Sequence, residues 1–504
     1  MELRILKAIF SNVFLSGFDG TITASTYAVI GSEFNAANTI SWLTTSYLIT
    51  STAFQPLYGR FSDILGRRTC FFTATLTFMI GCLGCALAPD IITLNLMRAL
   101  TGLGGGGLMT MATIINSDMI PFQERGMYQA TQNVLHGFGS ICGASLGGAI
   151  ADNIGWRWCF LCQVPVSIFA FIVGHFVIKR EAKGTISERN LHVTKQTSKW
   201  KQIDLTGAIL LVLGLSAQLA AMSMGGNNHP WSDSRVVIAL TSSLILLIIF
   251  VVVEARTKSI PVMPISMLKG TLAISNQISN ICVGMAAYSF LFILPLFFQV
   301  VLRDSASHAG IRLVVPSLAT PAGGLLSGII MSRWGRLSEL VRLGSLLMMV
   351  GNGLVATLKF NDLPWKYLFY LIPANFGQGM SYPAILFTFL SAFDHSEQAV
   401  ATSMVYLFRS MGTVWGVAAS SALLQNILAK RLPLALEGVV DKEKIINEIR
   451  HSVAVLGTLP PEVQLLARHV YYDALRYAFI ANTVVAAIAL LAAIFARGKG
   501  LQRA

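Results

Sequence analysis

Apolar residues run through this chain in long blocks that short polar stretches separate. Three blocks, 205–224, 236–253 and 481–496, contain no charged residue. Each approaches the roughly 20 residues that a helix needs to cross the hydrocarbon core of a bilayer. Followed along the whole chain, the pattern predicts an all-α polytopic membrane protein with fourteen spans. These are 8–30, 40–58, 70–88, 91–117, 127–150, 156–178, 205–224, 236–253, 272–300, 308–331, 341–358, 367–391, 400–428 and 476–496.

The composition supports this class and excludes several others. Hydrophobic residues make up 54% of the 504 residues and charged residues only 12%. Soluble domains contain roughly 25% charged residues. This chain has about half that share, which is too little to cover the surface of a soluble protein of this length. The seven cysteines fall within or beside apolar segments, and no His or acidic residue completes a metal site. We therefore predict no disulfide scaffold and no bound metal.

The distribution of lysine and arginine predicts the orientation. Most of these residues fall in the N-terminal segment, the C-terminal segment and the loops of one face, and few fall in the short loops opposite. Basic loops stay in the cytosol, and an even number of spans places both termini on the same side. The net charge of +13 then belongs to cytosolic loops, and we predict no binding of nucleic acid.

An internal repeat divides the chain. The segment 59–68 recurs in degenerate form at 328–336, and Gly139 and Gly143 match Gly412 and Gly416. We therefore predict five regions along the chain. Residues 1–178 form an N-terminal six-helix bundle, 179–204 a cytosolic basic linker, 205–253 two inserted spans, 254–271 a cytosolic linker, and 272–504 a C-terminal six-helix bundle with a long lumenal loop at 429–475. Within that loop, 441–450 and 461–476 are predicted to be amphipathic helices against the outer face.

The segment 59–68 resembles the loop 2–3 motif of the major facilitator superfamily, G-x-x-x-D-x-x-G-R-R, in its fourteen-span drug:proton antiporter branch. The resemblance implies the fold of that superfamily, with two six-helix bundles and two inserted spans. It also implies a conformational latch, formed by Gly59, Asp63, Gly66, Arg67 and Arg68. Glycines let helix ends approach closely, and Asp63 can pair across the bundle.

Two further motifs extend the resemblance. The pattern around Arg98 resembles the span 4 motif, whose buried arginine the family uses in proton transfer; a charge within a span usually faces a cavity. Span 5 resembles the antiporter motif, which implies helix packing by Gly139, Gly143, Gly147 and Gly148. The usual Gly-Pro of that motif is Gly143-Ala144 here, so close packing is expected without a proline kink.

Asp19 lies at the middle of span 1, in a run similar to that of fungal vacuolar basic amino acid transporters. No other acidic residue lies as deep in a predicted span. A carboxylate in such a place can alternate between holding a proton and pairing with a cationic substrate. We therefore expect Asp19 and Arg98 to couple substrate and proton. The alternative is that Asp19 is a fixed partner of Arg98.

Other polar and aromatic residues within spans are candidates for the substrate cavity. They are Gln132, His136, Asn276, Asn280, Tyr288 and Tyr382. Gln132 and His136 share a helix face, and so do Asn276 and Asn280. These four side chains could hold the α-carboxylate and α-amine of a substrate, and the alternative is that they join helices by hydrogen bonds. Gln163 and Arg409 are also polar residues within spans, to which the sequence assigns no role.

The most consistent function is secondary active transport of small cationic solutes. Basic amino acids (Lys, Arg, His) are the expected substrates, exchanged for protons across the vacuolar membrane. The expected partners are this substrate, protons and membrane lipids; a monomer is expected, with the proton gradient as energy source and no cofactor. Two alternatives remain, a plasma-membrane exporter of cationic drugs and a non-transporting nutrient sensor. No phosphate-binding loop or nucleophile–base pair points to an enzyme.

Overall fold

The computed structural model describes residues 2–34, 42–121, 124–178, 204–225, 229–257, 259–304, 306–437, 439, 442–451, 456–457 and 459–496. Within these ranges the chain is helical, and the one β feature is an isolated bridge between Gly225 and His229. The helices are α1 Glu2–Glu33, α2 Trp42–Leu65, α3 Arg67–Leu87, α4 Ile91–Met119, α5 Arg125–Asn153, α6 Arg157–Leu161, α7 Gln163–Val177, α8 Leu205–Met224, α9 Ser234–Arg256, α10 Thr271–Val301, α11 Ala306–Ser317, α12 Ala319–Trp334, α13 Leu337–Ala356, α14 Lys366–Phe369, α15 Ile372–Leu390, α16 Gln398–Ala435, α17 Lys442–His451 and α18 Pro461–Phe495.

Every predicted span coincides with one helix or with a pair of consecutive helices. The pairs are α6–α7, α11–α12 and α14–α15. In the described part of the chain, nine of these helical stretches are long and apolar enough to cross a membrane by composition alone. The remaining five are α1, α2, α4, α14–α15 and α16, which carry the polar groups of the site described below. The count of fourteen spans stays a prediction.

The two halves repeat one packing arrangement. In the N-terminal half, a Cβ added at Gly143 would lie 2.3 Å from the carbonyl oxygen of Phe18. In the C-terminal half, a Cβ added at Gly416 would lie 2.3 Å from the carbonyl oxygen of Met285. Only glycine permits such close approach of two helix backbones. The contacts pair α1 with α5 and α10 with α16, so the repeat in the sequence corresponds to a repeat in the fold.

Helices α8 and α9 pack beside this bundle. An apolar cluster joins Leu211 and Leu215 of α8 and Phe250 of α9 to Leu57 of α2 and Met404 of α16. The other face of α9 exposes a series of large aliphatic side chains, such as Ile238, Leu244, Ile245 and Ile248. This face suits contact with lipid. The predicted linker 179–204 lies outside the described residues except for Asp204, which caps α8 by accepting from the Gly207 amide at 2.9 Å.

The predicted loop 429–475 is shorter than expected. Helix α16 continues to Ala435, and α18 begins at Pro461. The expected separate helix at 461–476 is therefore the first part of α18. Hydropathy marks only the apolar part of each helix. Both helices continue past that part, and there Arg431 of α16 and Asp473 of α18 form an ion pair of 2.8 Å. The expected helix at 441–450 corresponds to α17, whose Ile449 carbonyl accepts a hydrogen bond from Tyr471 at 2.8 Å.

Candidate functional site

A buried ion pair joins α1 and α4 in the N-terminal half. Nη1 of Arg98 donates to both carboxylate oxygens of Asp19, at 2.8 and 2.9 Å. Both residues have 0% exposed surface. Burial of two charges is tolerated where each neutralises the other. The structure therefore brings together the two residues predicted to couple proton and substrate, and the pairing agrees with both interpretations of Asp19.

Neutral groups complete the surroundings of this pair. The Arg98 guanidinium lies 4.5 Å from the centre of the Tyr47 ring and 5.6 Å from that of Phe160. Its Nε donates to the Leu43 carbonyl at 3.3 Å. Nε2 of Gln163 donates to Oδ1 of Asp19 at 3.3 Å. Among the described residues, Asp19 is thus the one carboxylate that pairs with Arg98, so protonation of Asp19 would leave the arginine uncompensated.

The glycines of α4 place Tyr47 against Arg98. A Cβ at Gly102 would lie 2.4 Å from the Tyr47 carbonyl oxygen, and a Cβ at Gly105 would lie 2.6 Å from the Tyr47 hydroxyl. Without side chains at these positions, α4 and α2 approach closely enough for the tyrosine ring to cover the guanidinium. The glycine run therefore serves helix packing, in agreement with its position inside a span.

A second arginine, Arg409 of α16, lies in the C-terminal half at a partly exposed position. Its guanidinium stacks on the Tyr382 ring at 4.1 Å and lies 5.4 Å from the Tyr406 ring. Its Nε donates to Oδ1 of Asn280 at 3.3 Å, and its Nη2 donates to the Tyr382 carbonyl at 3.0 Å. All these partners are neutral.

Tyrosines connect the two arginine regions. Tyr288 of α10 exposes 39% of its surface although it lies in the middle of a helix. It lies near Tyr47 of the N-terminal half and near Tyr382 and Arg409 of its own half. Exposure at this depth indicates a cleft between the halves, with the partly exposed Tyr382 and Arg409 on one side and the buried Arg98 behind Tyr47 on the other.

The other predicted cavity residues divide into two groups. Gln132 is fully buried and accepts from Thr113 of α4 at 3.2 Å, and Asn276 donates to the Ile385 carbonyl at 3.0 Å. Both amides therefore join helices. His136 is partly buried on α5, and Asn280 holds Arg409. Of the six candidates, the structure brings Asn280, Tyr288 and Tyr382 together around Arg409.

The halves meet at the end of the bundle that carries the latch. A Cβ at Gly59 would lie 2.2 Å from Oγ of Ser403, and one at Gly328 would lie 2.9 Å from the Ala130 Cβ. All hydrogen bonds between described residues of the two halves run from mid-depth to this end. They join Tyr406 to Thr113 and Gln129, Ser410 to Gln55, Ser403 to Pro56 and Arg125 to Gln398. The cleft is closed at this end.

The latch residues form a compact network on one half. Asp63 accepts from Nη1 of Arg67 at 2.5 Å, and Nε of Arg67 donates to Asp118 at 2.7 Å. Arg68 donates to the Ile178 carbonyl at 3.1 Å. Asp63 thus pairs within its own half, not across the bundle as expected, because Arg67 lies against it at the start of α3, just after α2 ends at Leu65. Two contacts reach the other half. Gly59 packs against Ser403, and Oδ1 of Asp118 lies 3.9 Å from Nε2 of His395 in the C-terminal half.

The span 5 glycines differ from one another. Gly139 and Gly143 would each place a Cβ 2.3 Å from a carbonyl oxygen of α1, and Gly147 accepts a hydrogen bond from the Cys159 thiol at 3.4 Å. A Cβ at Gly148 would meet nothing within 4 Å. The packing role predicted for Gly148 therefore has no support in the structure, since this residue lies away from α1.

The sequence suggested Tyr406 only as a possible cation–π face, like Tyr288 and Tyr382, and assigned no role to Arg409, Tyr47 or Gln163. The available signal was an arginine within an apolar span, which is rare and usually functional.

A surface groove of about 400 Å³ lies apart from the site and shares none of its residues. It is lined by Ile330, Trp334, Arg336, Glu339, Leu340 and Leu343. Within the described ranges, no group of three or more His, Cys, Asp or Glu side chains is placed to hold a metal ion.

Comparison with known proteins identifies the family. Residues 9–417 match the model of the Major Facilitator Superfamily. The chain is 43% identical to the vacuolar basic amino acid transporter 2 of Saccharomyces cerevisiae over 460 residues, which cover 90% of this chain and 97% of that protein. It is 36% identical to a multidrug resistance protein of Schizosaccharomyces pombe, with 96% of this chain and 90% of that protein covered.

A solved structure supports the same architecture. The proton:xylose symporter XylE superposes with a TM-score of 0.61 at 14% sequence identity, covering 99% of this chain and 96% of that one. At this identity the likeness extends to the fold alone.

Proposed function

This chain belongs to the major facilitator superfamily and is a multi-pass secondary transporter, and from that premise we propose that it exchanges basic amino acids for protons across the vacuolar membrane. The observation that carries the proposal is the buried Asp19–Arg98 pair beside a cleft between two repeated halves. We propose that the protein acts as a monomer and needs no cofactor beyond the proton gradient.

The choice of substrate rests on relatives and on chemistry. The Saccharomyces relative is named for basic amino acids. A basic amino acid presents a cationic side chain, and a deep carboxylate such as Asp19 is the natural group to compensate it. The ring of Tyr47 beside the pair and the exposed ring of Tyr288 offer faces that attract cations. These features favour a cationic solute over a neutral sugar.

The conformation fits one stage of alternating access. The halves contact each other at the latch end, which the distribution of basic residues assigns to the cytosol. In this proposal the structure represents the state that opens to the lumen. Substrate would leave and a proton would enter from that side, and reversal of the contacts between the halves would open the cytosolic end.

Coupling follows from charge balance at Asp19. A carboxylate that holds a proton cannot also compensate a cationic substrate at full strength, so the two ligands compete. Exchange of one proton for one monovalent cation moves no net charge across the membrane. Such exchange uses only the pH gradient, which supplies about 1.4 kcal/mol per proton and pH unit. We therefore propose that Asp19 is the coupling site and that Arg98 tunes it.

Uptake of radiolabelled lysine into proteoliposomes tests the function. The vesicles would be prepared with an acidic interior, with equal pH on both sides, and with an acidic interior plus a protonophore. We expect concentrative uptake only with the intact pH gradient. Lysine accumulation that is unchanged without a gradient would contradict proton exchange, and lack of any lysine flux would contradict the substrate assignment.

Export of cationic drugs is the second candidate. The Schizosaccharomyces relative is named for multidrug resistance, and four tyrosines near the cleft would suit flat aromatic cations. The same proteoliposomes can test this candidate by competition. A cationic dye that is itself accumulated, and that displaces lysine completely, would favour drug export.

A further inference from the structure

The partly exposed Arg409 differs in its partners from Arg98, the buried arginine of the N-terminal half. Arg98 has the Asp19 carboxylate at 2.8 Å. No ion pair joins Arg409 to a carboxylate anywhere in the part of the chain that the structure describes. A guanidinium inside a membrane protein is costly unless an anion or water compensates it. The neutral groups around Arg409 orient its charge without neutralising it.

The geometry leaves one side of this guanidinium available. Asn280 binds Nε and the Tyr382 carbonyl binds Nη2, while Nη1 makes no hydrogen bond to another described residue. The Tyr382 ring covers one face of the plane. The side chain is therefore held in one orientation, with donors still free at its tip. Arginine held in this way is suited to a carboxylate, whose two oxygens match its fork of N–H groups.

The position along α16 places Arg409 at the floor of the cleft. Its neighbour Ser410 bonds to Gln55 of the other half at 3.0 Å, and Tyr406, about one turn away, bonds to Thr113 at 2.9 Å. The Tyr406 bond lies about one turn from Arg409 toward the latch end, and the Ser410 bond lies at the depth of Arg409 itself. Tyr288, which is 39% exposed, lies close enough to interact with it. A solute that reaches the first contact between the halves would thus be level with the guanidinium.

We propose that Arg409 binds the α-carboxylate of the transported amino acid. The inference rests on the proposed function and adds the group that recognises the common part of the substrates. It also predicts selection against cationic drugs, because a cation without a carboxylate would meet an uncompensated guanidinium. The ligand class is therefore α-amino acids with a free carboxylate.

Equilibrium binding to the purified full-length protein tests this assignment. Three probes separate the ends of the ligand: lysine, lysinamide, which lacks the carboxylate charge, and Nα-acetyl-lysine, which keeps it. We expect the wild type to prefer lysine to lysinamide by about tenfold to a hundredfold, the range for a hydrogen bond to a charged group. Arg409→Gln should weaken lysine and Nα-acetyl-lysine by similar factors while leaving lysinamide unchanged, so that the preference disappears.

Two further variants keep the test decisive. Arg409→Lys retains the charge but not the fork, and should keep part of the preference even if Arg409→Gln does not fold. Arg468→Gln is the matched control, because Arg468 of the same half donates only to the carbonyls of Val300 and Val301. It should keep the wild-type preference in full.

The possible failures are distinguishable. If Arg409→Gln or Arg409→Lys binds lysine and lysinamide in the wild-type ratio, the carboxylate assignment is overturned and the proposed function stands. If the wild type binds neither lysine nor Nα-acetyl-lysine, both are overturned. Equal loss of lysine preference in Arg468→Gln would also overturn the assignment, since the effect would then not be specific to the cleft.

Discussion

The α1–α5 pair of the N-terminal half and the α10–α16 pair of the C-terminal half share a backbone arrangement but differ in chemistry. A Cβ at Gly17 would lie 2.1 Å from the His136 carbonyl, and a Cβ at Gly284 would lie 2.7 Å from the Arg409 carbonyl. His136 and Arg409 are therefore equivalent positions. Phe18 contacts Gly143 in the same way as Met285 contacts Gly416. The residues that follow them, Asp19 and Ala286, are therefore equivalent as well.

The repeat thus places a buried acid in one half where the other has alanine, and a cation in the second half where the first has histidine. Duplication preserved the glycine contacts, because any side chain there would collide with backbone. The polar positions were free to diverge. The difference matches the division of roles proposed above, with proton coupling in the N-terminal half and carboxylate recognition in the C-terminal half.

The largest expected effect concerns the acid that only one half possesses. Asp19→Asn should abolish lysine accumulation driven by a pH gradient, because the side chain no longer titrates. It should also lower stability by about 3–5 kcal/mol, because Arg98 remains buried without its partner. Uptake into proteoliposomes and thermal unfolding would be measured on the same preparation.

The double variant Asp19→Asn, Arg98→Gln separates the two consequences. Removal of both charges should restore most of the stability but none of the accumulation. Should Asp19→Asn concentrate lysine to the wild-type level, the coupling role would belong elsewhere, and the pair would be a fixed structural element.

The second prediction tests whether the shared backbone arrangement is equally strict in both halves. Gly143→Ala and Gly416→Ala each place a Cβ 2.3 Å from a backbone carbonyl oxygen. Both should destabilise the protein, by about 1–3 kcal/mol or more, since the helices must separate. Gly148→Ala, with open space around it, is the control and should unfold at the wild-type temperature. A harmless Gly416→Ala beside a damaging Gly143→Ala would break the equivalence of the halves.

The third prediction compares the two copies of the latch. Gly66 has φ 98° and ψ 148°, a region that essentially only glycine occupies, whereas Gly335 has φ 64° and ψ 16°, which asparagine tolerates. Gly66→Asn should therefore lower the maximal transport rate about tenfold, which corresponds to roughly 1.4 kcal/mol. Gly335→Asn should leave the rate nearly unchanged.

Lysine affinity serves as the reference for the latch variants. The latch lies at the closed end of the bundle and not in the cleft, so both variants should bind lysine as the wild type does. A large loss of affinity with a normal maximal rate in Gly66→Asn would contradict a latch role.

The sequence carried enough information for the helices and for part of the site. Apolar blocks and glycine spacing depend on local composition, and they predicted the helices and the repeated halves. Asp19 and Arg98 were recognisable because charges within spans are rare. The direct contact between them could not be predicted, because a sequence does not give the distance between α1 and α4.

Arg409 shows why the rest could not be predicted. A position in a span shows that an arginine is buried, but whether a carboxylate faces it depends on every helix packed against it. The same limit applies to the ends of α16 and α18. Hydropathy ended both at the apolar boundary, whereas Arg431 and Asp473 pair beyond it.

The smallest expected effect concerns the end of the bundle opposite the latch. In the N-terminal half, the side chain of Glu33, beyond the predicted span 1, accepts from Arg157 and from the Trp156 indole, both at 2.6 Å. In the C-terminal half, Arg468 donates to the carbonyls of Val300 and Val301, at 2.9 and 2.6 Å. An arginine therefore fastens the end of the first helix in each half, through a carboxylate in one and through backbone in the other.

Only the carboxylate version should depend on pH. The hydrogen bond from Arg157 holds the pKa of the Glu33 carboxyl below its ordinary value. The contribution of this carboxylate to the free energy of unfolding is therefore complete above the unfolded pKa and is lost as the pH falls through the folded pKa. Glu33→Gln keeps an acceptor oxygen and removes the charge. Since the pair is 42% and 43% exposed, the variant should lose less than about 1 kcal/mol at neutral pH. Thermal unfolding would be measured from neutral pH to below about pH 4, the ordinary range of a glutamate. The stability difference between Glu33→Gln and the wild type should vanish in acid. The stability deficit of Arg468→Gln should stay constant, because carbonyls do not titrate. A deficit of Glu33→Gln that persists unchanged in acid would show that the contact acts through its shape and not through its charge.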